Sequence, residues 1–187
     1  MRLVLAAFTV ALCLGFVLGG RLSNLAVIRV RWAPAALVGL LMQFAPVPGR
    51  TLPLVMLYAS FVVLTAFAIA NIKLVGFPLI LIGIVCNFTV IAANSGMPVT
   101  EHALEASGQA STLQLLIEQG GAKHHLATTD DRLLFLGDVI PLGPIQQAVS
   151  VGDVLTYGGV MLLIVAGMRR RSVADAVLRA EATGAQS

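Results

Sequence analysis

Two apolar runs, Thr51 to Ile72 and Leu74 to Ala93, constrain this chain more than anything else in it. Each has the roughly 20 residues that a helix needs to cross a bilayer core, and only Lys73 separates them. Hydrocarbon offers no partner to backbone N–H and C=O groups, so such a run must satisfy them internally, as a helix. Leu3 to Gly20 is close to the same length, and Arg2 and Arg21 can snorkel to the two interfaces. Val149 to Met168 qualifies if Ser150 and Asp153 sit at its polar end. Trp32 to Ala45 is shorter and runs into Pro46-Val47-Pro48-Gly49, a stop and turn signal, so it reads either as a span or as a half-inserted segment.

Composition agrees with these runs. Of 187 residues only 11% are charged and 58% are hydrophobic, with a mean hydropathy of +0.92. Soluble domains carry about a quarter charged residues. A soluble globule, intrinsic disorder, a disulfide scaffold and a nucleic-acid-binding domain are therefore excluded as readings. Cys13 and Cys86 fall inside apolar stretches and read as free, packed thiols. The start of the chain lacks a cleavage pattern after its apolar run, so it reads as a retained first span.

The expected fold is an all-α, polytopic membrane bundle of about five helices, spanning roughly 3–20, 32–45, 51–72, 74–93 and 149–168. One structured extracytoplasmic loop, 94–148, and a cytoplasmic basic tail, 169–187, complete it. Charge bias supports five spans. That count places Arg21, Arg29, Arg31, Lys73, Arg169, Arg170, Arg171 and Arg179 in the cytoplasm, leaving Arg2, Arg50, Lys123 and Arg132 outside. Four spans would divide the basic residues evenly. The N-terminus then lies outside and the C-terminus inside a cell membrane. The segment from Asn94 to Val149 carries a formal charge of −4 and all three histidines, His102, His124 and His125, which suits an outer loop.

Within that loop, Thr100 is placed to cap a short helix ended by Gly108, and Thr112 to Gln119 to form a second one stopped by Gly120-Gly121. Leu133 to Leu136 and Val139-Ile140 form an apolar patch too short to span, expected to lie on the bundle.

Several residues invite a functional reading beside a structural one. Ala7, Ala11, Gly15 and Gly19 share one helical face, which serves either internal packing or a homo-oligomer seam. Gly76, Gly83, Asn87 and Asn94 form a similar stripe. Asn87, near mid-span, needs a hydrogen-bond partner such as Gln43, Ser60 or Thr65, or else marks a pathway. Its match to a glycosylation pattern, Asn87-Phe88-Thr89, is accidental at that depth. Asn94-Ser95-Gly96-Met97-Pro98-Val99 reads as a helix terminated through a left-handed residue, with Glu101 and His102 close by. Asp153 suits N-capping of the last span. Asp138, between apolar residues, must find a partner, with Arg132 a candidate. The ligand-binding candidates are accordingly Asn87, Asn94, Glu101, His102, Asp138 and Asp153. A metal site from the histidines with Glu101, Asp130 or Asp131 fits no ligand spacing, and neither metal nor cofactor is expected.

The motifs Gly20-Arg21-Leu22-Ser23-Asn24-Leu25, Asn94 to Val99, Leu136-Gly137-Asp138-Val139-Ile140-Pro141 and Ser150-Val151-Gly152-Asp153-Val154-Leu155 resemble a bacterial family. It is the membrane-protein family catalogued as domain of unknown function 5317, and the resemblance covers nearly the whole chain up to Met168. It implies a bacterial inner-membrane protein and supplies no activity, cofactor or catalytic residue. Three functions remain as expectations. The absence of a catalytic motif favours a non-enzymatic accessory, scaffold or sensor protein. A lipid or small-amphiphile binding or transport protein would use Asn87 and the apolar segment around Asp138. An outer-face enzyme would use Glu101, His102, Asp138 and Asp153. Membrane lipids are the expected partners.

Overall fold

The computed structural model describes residues 2–44, 49, 51–121 and 123–170. The Pro46-to-Pro48 stop signal and the tail from Arg171 onward lie outside the described residues. Five helices form the bundle: α1 (Arg2–Val17), α2 (Ala33–Phe44), α3 (Thr51–Ala70), α4 (Phe77–Asn94) and α7 (Val151–Met168). Between α4 and α7 lie two short helices, α5 (Glu101–Ala106) and α6 (Ala110–Gln119), and four short strands. These are β1 (Met97–Val99), β2 (His124–Leu126), β3 (Ile140–Leu142) and β4 (Gln147–Val149).

Helices α3, α4 and α7 are long and apolar enough to cross a membrane. Outward-facing Val55, Val62, Ile69, Ile82 and Val85 are exposed, an arrangement costly in water and ordinary in lipid. The 12 residues of α2 rise about 18 Å, short of the roughly 30 Å of a hydrocarbon core. It therefore ends inside the bundle's depth, and its last residues, Gln43 and Phe44, face the cavity described below.

The most extensive helix contact joins α4 to α7, and small residues make it possible. A Cβ at Gly83 would run into the Gly152 carbonyl and Thr156 Oγ1, and one at Gly159 would lie 2.6 Å from the Gly76 carbonyl oxygen. The two backbones thus approach more closely than side chains allow. On the other side, α1 packs against α7 through Ala7, Ala11 and Gly15, all buried, with Gly15 against the Met168 thioether. Within one chain this face is filled. Gly19, with a left-handed backbone, ends the stripe and meets no neighbour.

The motif after α1 closes the far end of α7. The Arg21 N–H and the Asn24 Nδ2 both donate to the Met168 carbonyl, each at 2.8 Å, satisfying an acceptor that a helix C-terminus leaves open. At the same end, buried Asn71 reads the backbone of Arg31 as a strand would. Its Oδ1 accepts from Arg31 N at 2.7 Å, and its Nδ2 donates to Arg31 O at 2.8 Å and Phe67 O at 2.9 Å. Asn71→Ala is expected to cost about 2–4 kcal/mol, because it strands both Arg31 backbone groups. Thermal unfolding in detergent would show a loss of roughly 5–10 °C in Tm.

The loop is not purely helical, a correction to the all-α expectation. β1 and β2 run parallel, in register Met97↔His124 to Val99↔Leu126, and β3 and β4 form an antiparallel pair. Backbone satisfaction drives this. After Ser95 turns left-handed (φ 54°) at the end of α4, Met97 N donates to Lys123 O and Ala127 N donates to Val99 O. On the other side of β1, Asp138 N donates to Pro98 O at 2.9 Å. Pro98 itself cannot donate, yet its carbonyl is used. Strand β1 thereby brings His124 from one side and Asp138 from the other to the end of the bundle.

Candidate functional site

Asn87 on α4 meets the first turn of α7 in a closed ring of hydrogen bonds. Ser150 is the N-cap of α7, and its Oγ accepts from Asp153 N at 2.9 Å. The Asp153 carboxylate returns an acceptor to Ser150 N at 3.4 Å, completing a capping box. Asp153 is thus the third residue of the helix and Ser150 the cap, a correction to the expected role of Asp153. Asn87 Nδ2 donates to Asp153 Oδ1 at 2.8 Å, and the Ser150 hydroxyl donates to Asn87 Oδ1 at 2.7 Å. The amide bonds to Asp153 and to Ser150, the N-cap of α7, rather than to Gln43, Ser60 or Thr65. Gly152 must be glycine here, because a Cβ would overlap Asn87 Oδ1.

This ring forms one wall of a cavity of about 180 Å³. Its apolar walls are Phe44, Leu57, Phe61, Ile91 and Met97, and its polar end holds Asn87, Asp153, Asp138, His124 and Lys123. Asp138 is only 8% exposed, and its Oδ1 is buried with no hydrogen-bond partner. Its Oδ2 lies 3.8 Å from His124 Nε2, beyond a good hydrogen bond. Among the described residues Arg132, the expected partner, forms no ion pair with Asp138; Asn94 holds its backbone, with Arg132 N donating to Asn94 Oδ1 at 2.7 Å and the Arg132 carbonyl accepting from Asn94 Nδ2 at 2.8 Å. Burial, reinforced by the neighbouring Asp153 carboxylate, pushes the Asp138 carboxyl well above the usual carboxylate range. The Lys123 ammonium donates to the Gln43 carbonyl and ties the loop to the end of α2.

Of the six candidates, Asn87, Asp138 and Asp153 meet at this cavity. Asn94 clamps the loop from the end of α4, while Glu101 and His102 are exposed on α5, whose cap is Thr100. His125 pairs with Asp131 at 2.8 Å. Burial raises the Asp131 carboxyl, but hydrogen bonds from Thr128 N and from His125 outweigh it and hold the pKa below its usual value. Among the described residues no three His, Cys, Asp or Glu side chains form a metal-ligating group. The sequence reading missed Lys123 and Ser150 as site residues. The Ser150-x-x-Asp153 spacing was the available signal for the second.

The family of unknown function DUF5317 matches residues 26–165, a span that contains the capping box, Asn87, Asp138 and both sides of the cavity. The chain belongs to that family. This DUF5317 chain is also similar to an uncharacterized protein of Thermotoga maritima, 30% identical over 167 residues, which cover 87% of this chain and 90% of the relative. No solved structure matches. The matched span begins after Gly20 to Leu25, so α1 and the motif that closes α7 fall outside it. For a DUF5317 protein, family membership fixes no reaction, and the chemistry has to be argued from the cavity.

Proposed function

We propose that this protein is a five-helix membrane protein, N-terminus outside and C-terminus cytoplasmic, that binds the polar end of a small amphiphile at its outer boundary. The observation that carries this reading is Asp138, a buried carboxyl whose Oδ1 has no hydrogen-bond partner, lining a cavity with apolar walls. A buried acceptor left without a donor costs about 1–3 kcal/mol, and a ligand hydroxyl or amine N–H would recover it. The walls from Phe44, Leu57 and Phe61 suit the apolar part of the same ligand. The small-residue face of α1, which could otherwise serve as a homo-oligomer seam, packs against α7, so the amphiphile reading has the stronger geometric support.

Extraction tests it. Protein purified from membranes in mild detergent, stripped with organic solvent and measured by mass spectrometry should yield one amphiphile in near-stoichiometric amount. Asp138→Leu, which removes the orphan acceptor and so should fold at least as well, should yield none. Equal recovery from both proteins, or recovery from neither, would contradict the reading.

A further inference from the structure

The cavity beside the bundle has a neighbour. A second cavity of about 320 Å³ lies in the loop, and Asp138, His124 and Lys123 line both. These three side chains are therefore the partition between a mainly apolar space among the helices and a space enclosed by α6 and β4. The larger cavity alone reaches the size range of small-molecule pockets, roughly 300–1,000 Å³. Its further polar groups are uncharged: Gln109, Thr112 and Gln147. Gln109 uses one amide N–H on Ser107 Oγ and Gln147 Oε1 accepts from Leu3 N, which leaves the Gln109 Oε1 acceptor and the Gln147 Nε2 donors for a ligand.

Resting on the amphiphile reading above, we infer that the ligand's headgroup is uncharged and hydroxyl-bearing, such as a glycerol or sugar, seated in the loop cavity with its apolar chain among the helices. Charge decides the class. Each cavity is lined by Lys123 together with Asp138, and Asp153 lines the smaller one. An anionic phosphate would have to enter a loop whose formal charge is −4. A cationic head would face Lys123 at the partition. A hydroxyl meets neither repulsion. It donates to Asp138 Oδ1, and further hydroxyls suit the amide and Thr112 groups, which both give and accept hydrogen bonds.

Thermal shift with three probes of one chain length separates the classes: monomyristoylglycerol, its lysophosphatidic acid counterpart and tetradecylamine. The delipidated protein should gain roughly 5–10 °C in Tm with the glycerol ester at a hundredfold excess over Kd, and little with the other two. Thr112→Val, isosteric and away from the smaller cavity among the helices, should weaken the glycerol ester about tenfold, the value of one lost hydrogen bond. A charged probe that stabilises as well as the ester, or unchanged affinity in Thr112→Val, would overturn the headgroup assignment while leaving amphiphile binding standing. If no probe shifts Tm and no amphiphile is recovered by extraction, the binding reading itself fails.

Discussion

Asp138→Asn should make the protein more stable at pH 7, by roughly 1–3 kcal/mol, although it alters the most buried acidic group of the cavity. Unfolded, an aspartate titrates near 3.9. Folded, burial and the Asp153 carboxylate hold Asp138 well above that range. Between the two values the unfolded chain releases a proton that the folded chain keeps, so folding loses stability as pH rises through this window. Above the folded pKa the penalty is complete. Asparagine has no proton to lose. The advantage of the variant is therefore largest on the alkaline side and closes as pH falls toward about 4. The groups facing this carboxyl, Asp153 on α7, His124 on β2 and Lys123 beside it, are unaltered in the comparison. Tm measured in detergent across pH 4 to 8 for both proteins reads the effect directly. A variant less stable than the parent at pH 7 would mean that Asp138 has a donor in the folded protein.

Asn87→Leu should do the opposite and cost about 3–5 kcal/mol. Asp153 Oδ1 loses its side-chain donor and the Ser150 hydroxyl its acceptor, a penalty of roughly 3 kcal/mol because one group is a carboxylate. Leucine adds no heavy atom, but its methyl groups are bulkier than the amide oxygen and nitrogen they replace. They press on Gly152, whose ideal Cβ position already overlaps Asn87 Oδ1, so overpacking adds about 1–2 kcal/mol. Tm should fall by on the order of 10 °C. Thr89→Val, on an exposed position two residues further along α4, should stay within about 0.5 kcal/mol of the parent. Equal effects from both substitutions would show that the ring does not hold α4 to α7.

The opposite signs separate two kinds of polar residue that look alike in the sequence. Both lie in apolar surroundings, and both drew attention for that reason. Asn87 is a structural contact whose amide both donates and accepts across to α7, whereas Asp138 is held in place by backbone bonds through β1 and keeps an oxygen without a hydrogen-bond partner.

The long helices were legible because a run such as Thr51 to Ala70 has only one way to satisfy its backbone in hydrocarbon. The stripe of Gly76, Gly83 and Asn87 was legible because helical periodicity puts it on one face. Its partner was not, since Gly152, Thr156 and Gly159 lie at the far end of the long loop in sequence and pair with it only once the loop has folded. The loop's strands were hidden for a related reason. Three-residue strands carry too little alternation to be seen, and Met97 to Val99 becomes a strand only because His124 to Leu126 and Asp138 supply its bonds. The Asp138–Arg132 expectation failed through the same gap: proximity in sequence did not anticipate Asn94 capturing the Arg132 backbone.

The most direct test of amphiphile binding is an experimental structure of the protein extracted with its native lipid. The account predicts elongated density with its apolar end against Phe44 and Phe61 and a polar atom at hydrogen-bond distance, about 2.6–3.2 Å, from Asp138 Oδ1. A collapsed cavity in which a protein group donates to that oxygen would contradict it.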